Sequence, residues 1–463
     1  MEYRFMIHKY ALNGYRIVLD TNSGAVHLFD EAPFALLDYC DDQVPDKLPQ
    51  EAIAVLQPKF GKNVLEEAHQ ELLELQKMGQ LFSSDDYAQF AGMMRGAPIK
   101  SMCLNVAHDC NLRCEYCFAA KGDFGRGRML MPLNVAKKSI DFLIANSGDR
   151  YNLELDFFGG EPLMNFDVVK ETVRYARSLE KEHHKNFRFT ITTNGILLDD
   201  DKIDFINREM SNCVLSIDGR KEVNDRLRVR ADGKSGSYDA IVPKFQKLVA
   251  SRGDKDYYAR GTFTKYNLDF TKDILHLVDL GFDQISVEPV VSDPKLDYSI
   301  KEEDLPRVFE EYDRLSQEII KRRKEGRGFN FFHFMIDLNQ GPCAIKRLRG
   351  CSCGNEYVAV TPEGDIFPCH QFVGDDKWKM GSVLDGTYDH AMKDRFAAAN
   401  VYAKPECMKC WAKFYCSGGC NANNNQYEHD ILKAHKISCD LEKKRLECAI
   451  MIQAAMADFH SES

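Results

Sequence analysis

The chain has 463 residues, 44% hydrophobic and 29% charged, and a net charge of −10 at neutral pH. That is apolar mass for about three ordinary domains, while the acidic balance excludes a general nucleic-acid-binding surface, which rests on clustered Lys and Arg. There is no signal-peptide core and no run of about 18 apolar residues. The reading is therefore a cytoplasmic protein with no membrane partner, whose 16 cysteines are ligands, redox groups or buried small hydrophobes rather than disulfides.

Residues 1–82 read as a small module. Strand-like runs at 3–10, 15–20 and 25–30 are separated by Asn13-Gly14 and Ser23-Gly24, dipeptides that favour turns. Helical patterns follow at 32–40, 49–57 and 64–79. In the last, Val64, Leu65, Ala68, Leu72 and Leu75 recur at helical spacing and Gly79 ends the run. Three strands and then three helices predict a winged-helix-like domain. Its many acidic residues and lack of a basic helix argue against DNA as its ligand. Residues 83–100 are polar and predict a linker.

From 101 to 330, strand-like stretches at 103–108, 153–160, 187–195, 213–219, 257–264 and 284–289 alternate with amphipathic stretches such as 132–146, 167–181 and 270–281. Six βα units in series predict an α/β fold, a parallel sheet curled into a partial (β/α)6 barrel with helices outside. Functional residues in such folds sit on loops after the strand C-termini. Here three cysteines follow the first strand, Gly-Gly-Glu-Pro the second, Thr-Asn-Gly the third and Asp-Gly the fourth. Residues 331–463 differ in character. Cysteines are dense from 343 to 439, glycines are frequent and periodicity is sparse, until a closing helix at 442–459.

Cys110, Cys114 and Cys117 supply three thiolates, one fewer than a cubane iron–sulfur cluster normally takes. A zinc knuckle is the alternative, with His108 as the fourth ligand that structural zinc requires. With Tyr116 the cysteines spell C-x3-C-x-aromatic-C, which resembles the radical S-adenosylmethionine (SAM) family. The resemblance implies a [4Fe–4S] cluster whose open iron binds SAM. It also implies a SAM site made of Tyr116, Gly159, Gly160 and Glu161, of Asn194 and Ser216 as polar contacts, and of Arg228 on the SAM carboxylate. Asn224 stands where the family pattern usually has His.

Downstream, Gly364, Cys369, Cys407, Cys410, Cys416, Cys420 and Cys439 resemble in their spacing the SPASM domain of peptide- and protein-modifying radical SAM enzymes. The resemblance implies two auxiliary [4Fe–4S] clusters, three in all. Cys407, Cys410, Cys416 and Cys439 would hold the second, and Cys351, Cys369 and Cys420 the first. Cys351 and Cys353 both fit the spacing to Gly364, and two ligands one residue apart would strain to reach one cube. Cys343 or Cys353 completes this cluster, or one iron stays open for a substrate thiolate. Cys40, Cys103, Cys213 and Cys448 read as buried apolar cysteines.

The three parts together resemble the sactipeptide maturases of six-cysteines-in-forty-five-residues peptides, which join a cysteine sulfur to a backbone carbon, typically of Thr. The resemblance implies an anaerobic radical SAM enzyme that forms thioether crosslinks in a ribosomally made cysteine-rich precursor peptide. The peptide's leader would add a strand beside the third strand and the helix at 62–78. A flavodoxin or ferredoxin would serve as low-potential electron donor. One alternative is an anaerobic sulfatase maturase, which forms formylglycine and needs no leader-binding module. The other is a non-catalytic iron–sulfur peptide-binding protein, which holds metal without cleaving SAM.

Overall fold

The structure is a computed structural model and describes residues 6–92, 96–338 and 344–462. Strands β1 (Ile7–Leu12), β2 (Tyr15–Asp20) and β3 (Val26–Leu28) form an antiparallel sheet in that order. Asn13 (φ 51°) and Gly14 (φ 89°) are both left-handed, the backbone that a two-residue hairpin between twisted strands requires. Helices α1 (Glu31–Leu36), α2 (Gln50–Phe60) and α3 (Lys62–Lys77) follow. Side chains alternate across a strand, and β2 uses both faces. Val18 packs with Leu36, Leu56, Leu65 and Leu72 of these helices, whereas Ile17 and Leu19 join the core of the rest of the chain.

The polar stretch is docked rather than free over residues 85–90. Asp85 is buried in an ion pair with Lys413 at 2.7 Å and accepts from the Tyr402 hydroxyl at 2.5 Å. Tyr87 and Phe90 pack against Leu348, Val401 and Phe414. Composition alone suggests a solvated tether, but one buried charge and two aromatic anchors bind it to the C-terminal region.

The barrel runs through β4 (Ser101–His108), β5 (Met129–Leu130), α4 (Leu133–Ala145), β6 (Asn152–Gly159), α5 (Phe166–His183), β7 (Asn186–Thr193), α6 (Asp200–Glu209) and β8 (Met210–Ser216). It continues through α7 (Lys221–Leu227), α8 (Tyr238–Ala250), β9 (Asp256–Phe263), α9 (Phe270–Asp279), β10 (Gln284–Pro289), α10 (Leu305–Lys324) and β11 (Asn330–Phe331). The six long strands stand in sequence order, β4-β6-β7-β8-β9-β10, all parallel, with short β11 added parallel to β10. This is the partial barrel expected from the alternating pattern.

At the other edge the sheet continues into the cysteine-rich region. After α11 (Ala344–Arg349), β12 (Tyr357–Val360) pairs parallel with β4, and β13 (Asp365–Phe367), β14 (Gly381–Ser382) and β15 (Thr387–Tyr388) follow antiparallel. The cysteine field therefore grows from the barrel sheet. Four short helices follow, α12 (His390–Ala398), α13 (Pro405–Met408), α14 (Lys413–Cys416) and α15 (Asn421–Glu428), and then α16 (Lys436–Glu462). Helix α16 packs on α10 and on β1 and β2, burying Cys448, Ile450, Met451 and Ile452. Among the described residues, no helix is long and apolar enough to cross a membrane.

Candidate active site

A cavity of ≈ 220 Å³ opens at the C-terminal ends of the barrel strands, lined by Cys110, Cys114, Tyr116, Cys117, Gly159, Gly160, Glu161, Asn194, Ser216 and Arg228. The three cysteines leave β4 on one loop. Cys110 Sγ accepts from the Leu112 amide at 3.3 Å and from Asn194 Nδ2 at 3.5 Å. Burial, then the nearby Glu161 carboxylate, pushes the Cys110 thiol up to about 12. Burial pushes Cys114 up to about 11 against the pull of Arg228. Such thiols are poor free nucleophiles and become thiolates on binding a metal.

His108 does not join them. It is buried with its ring 4.8 Å from that of Phe124, lies outside the cavity wall, and is lowered to about 4 by burial. Among the described residues, no three Cys, His, Asp or Glu side chains close on a single-ion position. The zinc-knuckle alternative thus lacks its proposed fourth ligand.

The Gly-Gly-Glu-Pro loop meets the cysteine loop directly. A Cβ on Gly159 would lie 2.3 Å from the Ala107 carbonyl oxygen, and one on Gly160 2.2 Å from that of Asp109. The amides of Gly160 and Glu161 donate to these two oxygens at 2.7 and 2.9 Å. Glycine is required here for backbone to meet backbone, which shapes the cavity floor. The Glu161 side chain is 1% exposed and accepts from Thr193 Oγ1 at 2.7 Å, the Asn194 amide at 2.8 Å and the Leu163 amide at 3.0 Å. Its carboxylate thereby ties the loop after β6 to the loop after β7, and burial raises it to about 7.

Arg228 completes the wall. Its Nη1 donates to the Tyr116 hydroxyl at 2.9 Å, and that hydroxyl donates to Asp218 at 2.6 Å. Asp218 also accepts from the Thr262 amide of β9 at 3.0 Å. Asn224 is fully buried; its Oδ1 accepts from the Asp218 amide at 3.3 Å and its Nδ2 donates to Ser237 Oγ at 2.9 Å. The departure from His at 224 is therefore absorbed in holding the Asp218 turn. Arg228 Nε is buried without a hydrogen-bond partner, and the guanidinium lies near the Cys114 thiol. Together with the glycine floor, that donor set suits an anionic ligand held next to a thiolate-bound cluster.

Sequence patterns do not single out the far wall, which includes Phe118, Phe158, Arg260, Glu288, Val290 and His370. Arg260 pairs with Glu288 at 2.6 Å. His370 reaches in from the cysteine-rich region, its Nδ1 3.2 Å from the Tyr357 hydroxyl and its ring 4.9 Å from Phe158. Its position directly after Cys369 is the one sequence signal that could have flagged it.

The second cysteine field divides into two groups. Cys351 and Cys353 lie close together, with Cys369 and Cys420 beside them. Ser352 between Cys351 and Cys353 is left-handed (φ 55°). Cys343 lies outside the described residues. Cys407, Cys410, Cys416 and Cys439 form the other group, where burial raises Cys407 to about 11 and also raises Cys416 and Cys439. Cys103, Cys213 and Cys448 are buried as expected, and half-buried Cys40 donates to the Leu36 carbonyl at 3.7 Å.

Residues 104–253 match the radical SAM superfamily model, and residues 351–411 match the SPASM iron–sulfur cluster-binding domain. The chain carries a radical SAM domain and a SPASM domain. Such domains imply SAM and iron–sulfur clusters as cofactors. The radical SAM–SPASM chain is 25% identical over 338 residues to a cysteine-type anaerobic sulfatase-maturating enzyme of Clostridium novyi, covering 69% of this chain and 86% of that one. It is 24% identical over 339 residues to the antilisterial bacteriocin subtilosin biosynthesis protein AlbA of Bacillus subtilis, covering 70% and 68%. Among solved structures it resembles native anSMEcpe with bound AdoMet and Cp18Cys peptide, with a TM-score of 0.63 at 20% identity, covering 78% of this chain and 99% of that one.

Proposed function

We propose that this radical SAM–SPASM protein forms intramolecular thioether crosslinks between a cysteine sulfur and a backbone α-carbon, typically of threonine, in a ribosomally made cysteine-rich peptide. The observation that carries this reading is the N-terminal module. It offers β3 as a short edge strand, from which His27 reaches the Gln80 carbonyl just past the end of α3 at 2.8 Å, and there a leader peptide can add main-chain hydrogen bonds. It is also fixed to the C-terminal region, for the His8 ring stacks on Trp411 at 3.7 Å and the Tyr10 hydroxyl donates to the Glu447 carbonyl at 2.9 Å.

In this reading Cys110, Cys114 and Cys117 hold one [4Fe–4S] cluster. Cys351, Cys353, Cys369 and Cys420 hold a second, and Cys407, Cys410, Cys416 and Cys439 a third. SAM bound at the first cluster supplies the means of removing a hydrogen atom from a peptide carbon. The chain's own residues bind and orient. Arg228 offers its free Nε to the SAM carboxylate, and Asn194 and Ser216 offer polar contacts. Tyr116, held by Arg228 and Asp218, fixes the cysteine loop. Phe118, Phe158 and Val290 exclude water from the acceptor side, and the Arg260–Glu288 pair borders the same wall. A low-potential flavodoxin or ferredoxin would supply electrons.

The likeness to sulfatase-maturating enzymes favours a second reading, conversion of a Ser or Cys side chain to formylglycine. Anaerobic incubation with SAM, reductant and a candidate precursor, followed by alkylation and tandem mass spectrometry, separates the two. Thioether formation gives a two-hydrogen loss and one cysteine newly resistant to alkylation. Formylglycine instead replaces a cysteine or serine side chain by an aldehyde.

A further inference from the structure

Lys404 lies between α12 and α13 and is 1% exposed. Its Nζ donates to the Gly418 carbonyl at 2.6 Å and to Asn421 Oδ1 at 2.8 Å. No carboxylate among the described residues pairs with it. A buried ammonium with no counter-charge is too costly to persist, and here the available negative charge is sulfur. The charged or titratable groups that face it are Cys407 and Cys416 from one cysteine group and Cys353 and Cys420 from the other.

Its two hydrogen bonds also bridge the groups. Gly418 sits in the loop from Cys416 to Cys420, where Ser417, Gly418 and Gly419 are all left-handed (φ 59°, 85° and 70°) and fold the chain back toward the lysine. Asn421 passes the contact on, its Nδ2 donating to Cys353 Sγ at 3.7 Å. A Cβ on Gly418 would come within 3.3 Å of Nζ, so the loop is fitted to the ammonium.

We propose that Lys404 is the shared counter-charge of the two auxiliary iron–sulfur sites and raises the reduction potential of both. This rests on the assignment of these eight cysteines as cluster ligands. The couple concerned is one electron on or off each site, supplied by a chemical reductant in the titration, with no bond made or broken. Each added electron makes a site one unit more negative. A fixed positive charge in a low-dielectric setting therefore favours the reduced form, and net charge and hydrogen bonds to sulfur are known levers on cluster potential.

The test is an anaerobic redox titration of the reconstituted full-length chain followed by electron paramagnetic resonance. It is run in a Cys110→Ala/Cys114→Ala/Cys117→Ala background, so that auxiliary signals stand alone, with iron and sulfide counted in every sample. In Lys404→Met, and in Lys404→Gln, which keeps a hydrogen-bond donor, both potentials should fall by a factor of at least about ten in the reduction equilibrium, 59 mV for one electron. Lys404→Arg should restore most of the shift. Unchanged potentials in metal-replete variants, or a fall at one site only, would overturn the shared role. Iron loss from both neutral variants but not from Lys404→Arg would also overturn it, making Lys404 a folding element. If the parent protein holds no auxiliary iron, the cluster assignment itself has failed, an outcome distinct from all of these.

Discussion

Around Cys110, Cys114 and Cys117 the neighbouring side chains are tied to one another. Glu161 holds the loops after β6 and β7 together, and Arg228, Tyr116 and Asp218 form a chain across the mouth. Behind them stands the continuous barrel core. Around the eight cysteines from 351 to 439, the helices α13 and α14 have four residues each, and the small cores count Cys353, Cys369 and Cys407 among their members. One region has a scaffold that exists apart from its thiols. In the other the thiols are part of the packing, so a metal held there would be coupled to folding.

The sharpest break of this contrast pairs two substitutions. Cys114→Ala should reduce SAM cleavage to background while leaving the thermal midpoint nearly unchanged. Cys369→Ala should also open the 351–439 region to proteolysis and amide exchange. Equal thermal losses in the two variants would show that the barrel mouth depends on its cluster as heavily as the C-terminal region does.

Next in size is Asp85→Asn. It leaves Lys413 buried without its 2.7 Å partner, and breaking a buried pair costs about 3–5 kcal/mol. Urea titration should show that loss, with residues 83–100 becoming the first site of proteolysis.

A smaller effect depends on pH. His333 is lowered to about 3 by burial, with Arg445 adding to the shift, so it is neutral in the fold. The unfolded chain takes up a proton there below about pH 6.5, so stability falls as pH drops through the window from 6.5 towards 3. The slope is at most about 1.4 kcal/mol per pH unit. His333→Asn should flatten the difference between urea midpoints at pH 7 and 5.5.

Smallest is Tyr116→Phe, which removes one hydroxyl from the Arg228–Asp218 chain. It should cost about 1 kcal/mol of stability and weaken SAM binding measured by calorimetry, with the auxiliary sites untouched.

The strand order of the barrel was readable from the sequence because each βα unit is local and right-handed crossovers leave few alternatives. The loop chemistry was readable for the same reason. Cys110, Cys114 and Cys117 sit on one turn, and Gly159, Asn194 and Ser216 each sit at the end of a strand that periodicity reveals, so all of them reach one cavity. The spacing of Cys407, Cys410, Cys416 and Cys439 resembles that of the SPASM domain, whose model matches residues 351–411.

Tertiary structure decided the rest. The pairing of β12 with β4 joins two stretches far apart in the chain through a strand of four residues, too short to carry a period. It is this pairing that brings His370 to the barrel mouth. The grouping of Cys353 with Cys351 turned on the left-handed backbone of Ser352, which a serine in a sequence does not announce. The Asp85 side chain, in a stretch whose composition predicts a linker, is buried, and so is Lys404. Whether a charge is solvated depends on what the rest of the chain packs against it, and that is settled only when distant elements meet.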